Sequence, residues 1–134
     1  MTRYLLACAL LCSAVPAMAQ QPGPPPTPTD PPCLRQISMY DFKFVPGNRS
    51  LIVIDRSRRR YRVNFMSQCF NIQYSLGLRF KTNGTSNLSC VSKGDSVRFR
   101  DPASPGICII RDVQYQTPAL DQQDAAAAAA AKQQ

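Results

Sequence analysis

Ser50-Leu51-Ile52-Val53-Ile54-Asp55-Arg56-Ser57-Arg58-Arg59-Arg60-Tyr61-Arg62-Val63-Asn64-Phe65 is the stretch on which the fold turns. Leu51 to Ile54 is an unbroken apolar run rich in β-branched residues, which suits a strand buried on both faces. Asp55 to Arg59 changes to turn and charge, and Arg60 to Phe65 then alternates strictly. With a strand period of two, Tyr61, Val63 and Phe65 share an apolar face, and Arg60, Arg62 and Asn64 share the other. The stretch predicts a β-hairpin with an apolar underside and an arginine-studded tip, and places Tyr61 in the core rather than among the arginines.

Working outward toward the N-terminus, Cys33 to Tyr40 opens the domain. Ile37, Met39, Phe42 and Phe44 hint at period two, and Pro46-Gly47-Asn48 is a turn signal. Before it, Gln20 to Pro32 holds seven prolines in 13 residues, a semi-rigid extended spacer. Met1 to Ala19 reads as a secretory signal peptide. It has Arg3, a 12-residue apolar run from Tyr4 to Val15, Pro16, and small residues in Ala17-Met18-Ala19, which predicts cleavage before Gln20. The run is too short to span a membrane. A lipoprotein reading of Leu5-Leu6-Ala7-Cys8 leaves almost no apolar run ahead of the cysteine.

Toward the C-terminus, Phe70 to Leu76 is ambiguous between short helix and loop. Gly77 to Thr82 is strand-like, and Asn83-Gly84 is the strongest short-range turn signal in the chain, followed by a return at Leu88-Ser89-Cys90. Ser96 to Arg100 is a strand with Val97 and Phe99 inward, Asp101 to Gly106 a loop, and Ile107 to Tyr115 the last strand. About six short strands result, predicting a mainly β domain over 33–116: one small antiparallel barrel or rolled sheet, stapled by disulfides. Residues 117–134 are an Ala/Gln-rich low-complexity tail. Asp121 is placed to cap a helix through Ala125–Ala131, but so short an isolated helix frays in water.

After leader removal Cys33, Cys69, Cys90 and Cys108 remain. An even count in an exported chain reads as a disulfide framework. A zinc site is the rival, but the spacings are long, no CxxC pair occurs, and the chain has no histidine. Cys33–Cys108 with Cys69–Cys90 is the preferred pairing, because the first staples the opening strand to the last, as barrel closure would require. The three Asn-x-Ser/Thr sequons at Asn48, Asn83 and Asn87 read as turn chemistry.

The formal charge is +8, from 16 Lys+Arg against 8 Asp+Glu, and all the acids are aspartate. That balance favours anionic partners, such as acidic polymers or lipid head groups, without choosing one. His and Glu are absent, the oxidised cysteines leave no thiol nucleophile, the aspartates fall in no recognised spacing with one another, and no phosphate-binding glycine loop occurs. No cofactor, metal site or specific nucleic-acid motif is expected. The candidate anion-binding residues are Arg56, Arg58, Arg59, Arg60 and Arg62, whose forks match carboxylate or phosphate oxygens.

Several segments, in order, carry a resemblance: Cys33-Leu34-Arg35-Gln36-Ile37, Arg49 to Val53, Arg59 to Val63, Cys69, Leu88-Ser89-Cys90, Gly94 to Val97 and Cys108-Ile109-Ile110. From Cys33 to Tyr115 the chain resembles a family of small exported bacterial proteins catalogued only as a domain of unknown function. It departs from that family after Cys69, where Phe70-Asn71-Ile72 stands in place of Pro-Gly-Leu. The resemblance implies a periplasmic or secreted setting and brings no activity with it. The expected function is a non-enzymatic binding module for an anionic envelope or extracellular ligand. The alternative is a structural or protein-interaction component of the envelope.

Overall fold

The computed structural model describes residues 28–133 apart from 76, 85, 87 and 100–105. The expected leader and most of the proline-rich spacer, the 101–105 loop, the second sequon's Thr85 and the third's Asn87 lie outside the described residues. Six strands are β1 (Met39–Phe44), β2 (Ser50–Asp55), β3 (Arg60–Phe65), β4 (Leu78–Lys81), β5 (Ser96–Phe99) and β6 (Gly106–Tyr115); helix α1 is Pro118–Ala131. They form one antiparallel sheet in the order β1-β2-β3-β6-β5-β4. The sheet rolls into a half-barrel. Phe42 of β1 and Leu78 and Phe80 of β4 line one cleft of about 190 Å³, so the outer strands face each other without pairing.

The inner face follows the predicted alternation. Leu51, Val53, Tyr61, Val63, Phe65, Phe80, Val97, Phe99 and Ile110 are buried in one cluster. β1 turns into β2 through Val45-Pro46-Gly47-Asn48, closed by the Asn48 N–H donating to the Val45 carbonyl at 3.2 Å. Gly47 has φ +86°, the positive value this turn requires after proline. Ile52, on the opposite face of β2, is also buried. The unbroken apolar run therefore does belong to a strand covered on both sides.

β6 is the longest strand and serves both halves of the sheet: Gly106–Ile109 pairs with β5 and Ile110–Tyr115 with β3. Gly106, expected in a loop, is its first residue. The disulfides are Cys33–Cys90 and Cys69–Cys108, with Cα–Cα distances of 4.9 and 5.7 Å. This corrects the preferred pairing. The last strand lies in the middle of the sheet, so Cys108 faces the chain leaving β3, where Cys69 stands, and not the opening segment. Cys33 instead joins the loop between β4 and β5. There Arg35 bridges to Cys90, and the Val91 N–H donates to the Leu34 carbonyl at 2.7 Å. Leu88-Ser89-Cys90 is accordingly no strand, and Asn83-Gly84 makes no two-residue hairpin. The long loop is organised by buried Asp95, whose carboxylate accepts from the Asn83 and Ser92 N–H groups at 2.8 Å each.

The C-terminal segment also differs from expectation. Thr117, not Asp121, is the N-cap, its hydroxyl accepting from the Leu120 N–H at 3.3 Å, and Pro118 is the first residue of the helix. Leu120, Asp121, Asp124 and Ala128 form a half-buried stripe, and the aspartates reach the outer face of β3. Among the described residues no helix is long and apolar enough to cross a membrane. The two disulfides fit a protein that resides outside the cytoplasm.

Candidate anion-binding sites

The five arginines of the hairpin separate into two groups. Strand period sends Arg60 and Arg62 to the outer face, where α1 meets them. Arg60 donates both terminal nitrogens to Asp121 at 2.7 Å, a bidentate pair. Arg62 Nη1 lies 2.8 Å from each Asp124 oxygen, and Gln116 Nε2 donates to both aspartates at 3.1 Å. The network continues along the outer face through Arg62 and Asn64. Ser50 donates to Asn64 Oδ1 at 2.7 Å, Asn64 Nδ2 to Asp112 at 2.6 Å, and Arg111 Nε to Asp112 at 2.7 Å. The Arg60 hydrogen bond holds the Asp121 carboxyl below the usual carboxylate range, and the same bond raises Arg60. Burial works to raise Asp112, and the bonds from Asn64 and Arg111 outweigh it, leaving that carboxyl below its usual range too.

Arg56, Arg58 and Arg59 stay at the tip and are exposed. Asp55, 5% exposed, builds that tip: its Oδ1 accepts the Arg59 N–H at 2.8 Å, its carbonyl accepts the Arg58 N–H at 2.9 Å, and Tyr61 Oη donates to Oδ2 at 3.4 Å. Burial first, then the Asp55 charge, raises the Tyr61 hydroxyl. Arg59 Nε sits 3.9 Å from Asp55, a loose pair. Arg58 takes the left-handed conformation, φ +62°. The Arg56 N–H donates to the Ser38 carbonyl at 2.8 Å, latching the tip to the segment that opens β1. Beside this tip runs a groove of about 930 Å³ that reaches Tyr40 and Asp41.

A second basic surface lies on the outer face of β4 and β5. The register sets Arg79 opposite Arg98 and Lys81 opposite Ser96. Cross-strand partners share a face, and Phe80 and Val97, one residue along, point into the core. Arg79, Lys81 and Arg98 border a depression of about 500 Å³ with Gln36, Thr82 and Ser86. Among the described residues no carboxylate comes within 4 Å of these cations. On the next strand Ile107 pairs with Arg98 and Ile109 with Ser96, and these isoleucines are 59% and 40% exposed. Sequence reading missed this surface because its cations alternate with apolar residues on two strands separated by a long loop. The available signal was alternation: Arg79 and Lys81 flank Phe80, and Arg98 sits between Val97 and Phe99.

Compared with protein-family models, curated proteins and solved structures, the chain matches none.

Proposed function

We propose that this protein is an exported, non-enzymatic binding module for an anionic ligand of the envelope or extracellular space, and that the β4–β5 face is its principal contact. The observation that carries this reading is the Arg79–Arg98 rung: like charges stand directly opposite in an antiparallel pair, with Lys81 on the same face. Such a pair destabilises the sheet on its own, and a bound polyanion relieves the repulsion. The hydroxyls of Thr82 and Ser86 add neutral donors at the rim of the same depression. The absence of His and Glu from the sequence, and the closure of Cys33, Cys69, Cys90 and Cys108 into disulfides, favour binding over catalysis.

Inorganic polyphosphate is a suitable probe. The Arg79→Ser/Arg98→Ser variant should bind it more weakly, with the slope of log K against log salt reduced by about two, one per lost contact. The same variant should unfold at equal or higher urea, gaining about 0.2–1 kcal/mol from the lost repulsion. Unchanged polyphosphate binding across a salt titration overturns the reading. The exposed Ile107 and Ile109 favour a second one, a protein-interaction surface on the same face. Salt-insensitive capture of an envelope protein that is lost in Ile107→Ser would support it.

A further inference from the structure

We infer that the groove at the β2–β3 tip binds a uronate sugar, that is, a pyranose ring carrying a carboxylate, within an acidic polysaccharide. The site is separate from the β4–β5 face and stands if that face proves inert.

Tyr40 is 78% exposed, and it lies where the β1–β2 register shifts between Met39 and Asp41. A bulge re-aims the extra side chain, and here it leaves the ring out of the core and on the wall of the groove. An exposed tyrosine ring offers a flat apolar face with a polar end, suited to the C–H face of a sugar. Arg56 and Arg58 line the same groove, with Arg60 and buried Asp55, and among the described residues neither Arg56 nor Arg58 has a carboxylate within 4 Å. Their guanidinium forks match one carboxylate in bidentate geometry. Half-buried Ile54 contributes an apolar surface, as sugar sites use beside their polar groups.

Asp41 decides the class of ligand. It is exposed and lines the groove, and its Oδ1 accepts the Phe42 N–H at 2.8 Å. Its remaining acceptor capacity repels a dense polyanion and suits a ligand with hydroxyl donors. A duplex nucleic acid presents phosphate and hides its base faces, leaving both Tyr40 and Asp41 unused. A uronate ring uses these four groups: the ring face on Tyr40, the carboxylate on Arg56 and Arg58, and hydroxyls on Asp41. The backbone that carries the two arginines is held in advance, because the Arg56 N–H is bonded to the Ser38 carbonyl and the Asp55 carboxylate fixes the turn.

The test uses the full mature chain carrying Arg79→Ser/Arg98→Ser, so that the other basic face is silent. Tetragalacturonate, a mannuronate tetramer and a hyaluronan tetrasaccharide are titrated and followed by calorimetry and amide chemical shifts. At least one should bind, with shifts centred on Tyr40, Asp41 and Arg56. The methyl ester of the same oligomer should not bind. Tyr40→Ala and Arg56→Gln/Arg58→Gln should each weaken binding by about tenfold or more, and Tyr40→Phe should retain it. Tyr40 is exposed, so an unchanged circular dichroism spectrum separates lost binding from lost fold. The inference is overturned if none of the uronates binds, if the methyl ester binds equally, if Tyr40→Ala is silent, or if oligouridylate binds more tightly than every uronate.

Discussion

Gly106 opens β6 directly against the Phe99 ring, and a Cβ built on it would run into that ring. Gly106→Val should therefore destabilise by about 1–3 kcal/mol through overpacking, read as a lower urea midpoint at constant slope. Asp55 holds the hairpin tip with a buried carboxylate. Asp55→Ala strands the Arg59 N–H and the Tyr61 hydroxyl, and the expected loss in the same urea measurement is about 1–3 kcal/mol. The core face of β3 and the hairpin tip before it should separate just as sharply. Phe65→Ala costs about 3–5 kcal/mol because the ring is 3% exposed, whereas Arg58→Ser/Arg59→Ser at the exposed tip stays within about 0.5 kcal/mol. The direction of Phe65 was legible, since the period of β3 points it inward with Tyr61 and Val63. The roles of Gly106 and Asp55 were not. A glycine after a proline and an aspartate opening an arginine-rich run both read as turn residues, and only the tertiary neighbours show one to be a space requirement and the other a buried anchor.

The helix is the element whose fate depends most on conditions. Its alanines give propensity but few contacts beyond Ala128, so its place rests on Asp121 and Asp124 against Arg60 and Arg62. Arg60 holds Asp121 below its usual range. A carboxyl depressed in the folded state stabilises fully above its unfolded pKa, about 3.9, and that stabilisation is lost as pH falls through the lower folded value. Docking of α1 should thus be constant at neutral pH and weaken below about pH 4. The check is the set of helical Cα shifts over Pro118–Asp124 between pH 6 and pH 2. Asp121→Asn should weaken docking already at pH 6, and a helix unchanged down to pH 2 in the parent would refute the ionic latch. The alanines made a helix legible, but its start was misplaced at Asp121. Its docking was hidden because it pairs residues three apart on a helix with residues two apart on a strand about sixty positions earlier, a match no local periodicity records.

Across the whole molecule, non-reducing peptide mapping should find Cys33–Cys90 and Cys69–Cys108 and no other pair. Cys69→Ala/Cys108→Ala should cost about 4 kcal/mol in the loop-entropy account. The strands were legible because most keep period two between turn signals, and β2 because its apolar run is rich in β-branched residues. The cysteine pairing was not, because it follows from strand order, and sequence order suggested that the last strand closes against the first. The central position of β6 bears on when this chain can begin to fold. Until Gly106–Tyr115 is available, β3 has one unpaired edge, β5 has another, Ile110 is missing from the core, and Cys69 has no partner. The β1–β3 meander alone has too little sheet and core to hold together. A chain emerging N-terminus first, through a pore or from a ribosome, stays pliable until its last strand is free, and then closes both halves of the sheet around that one segment.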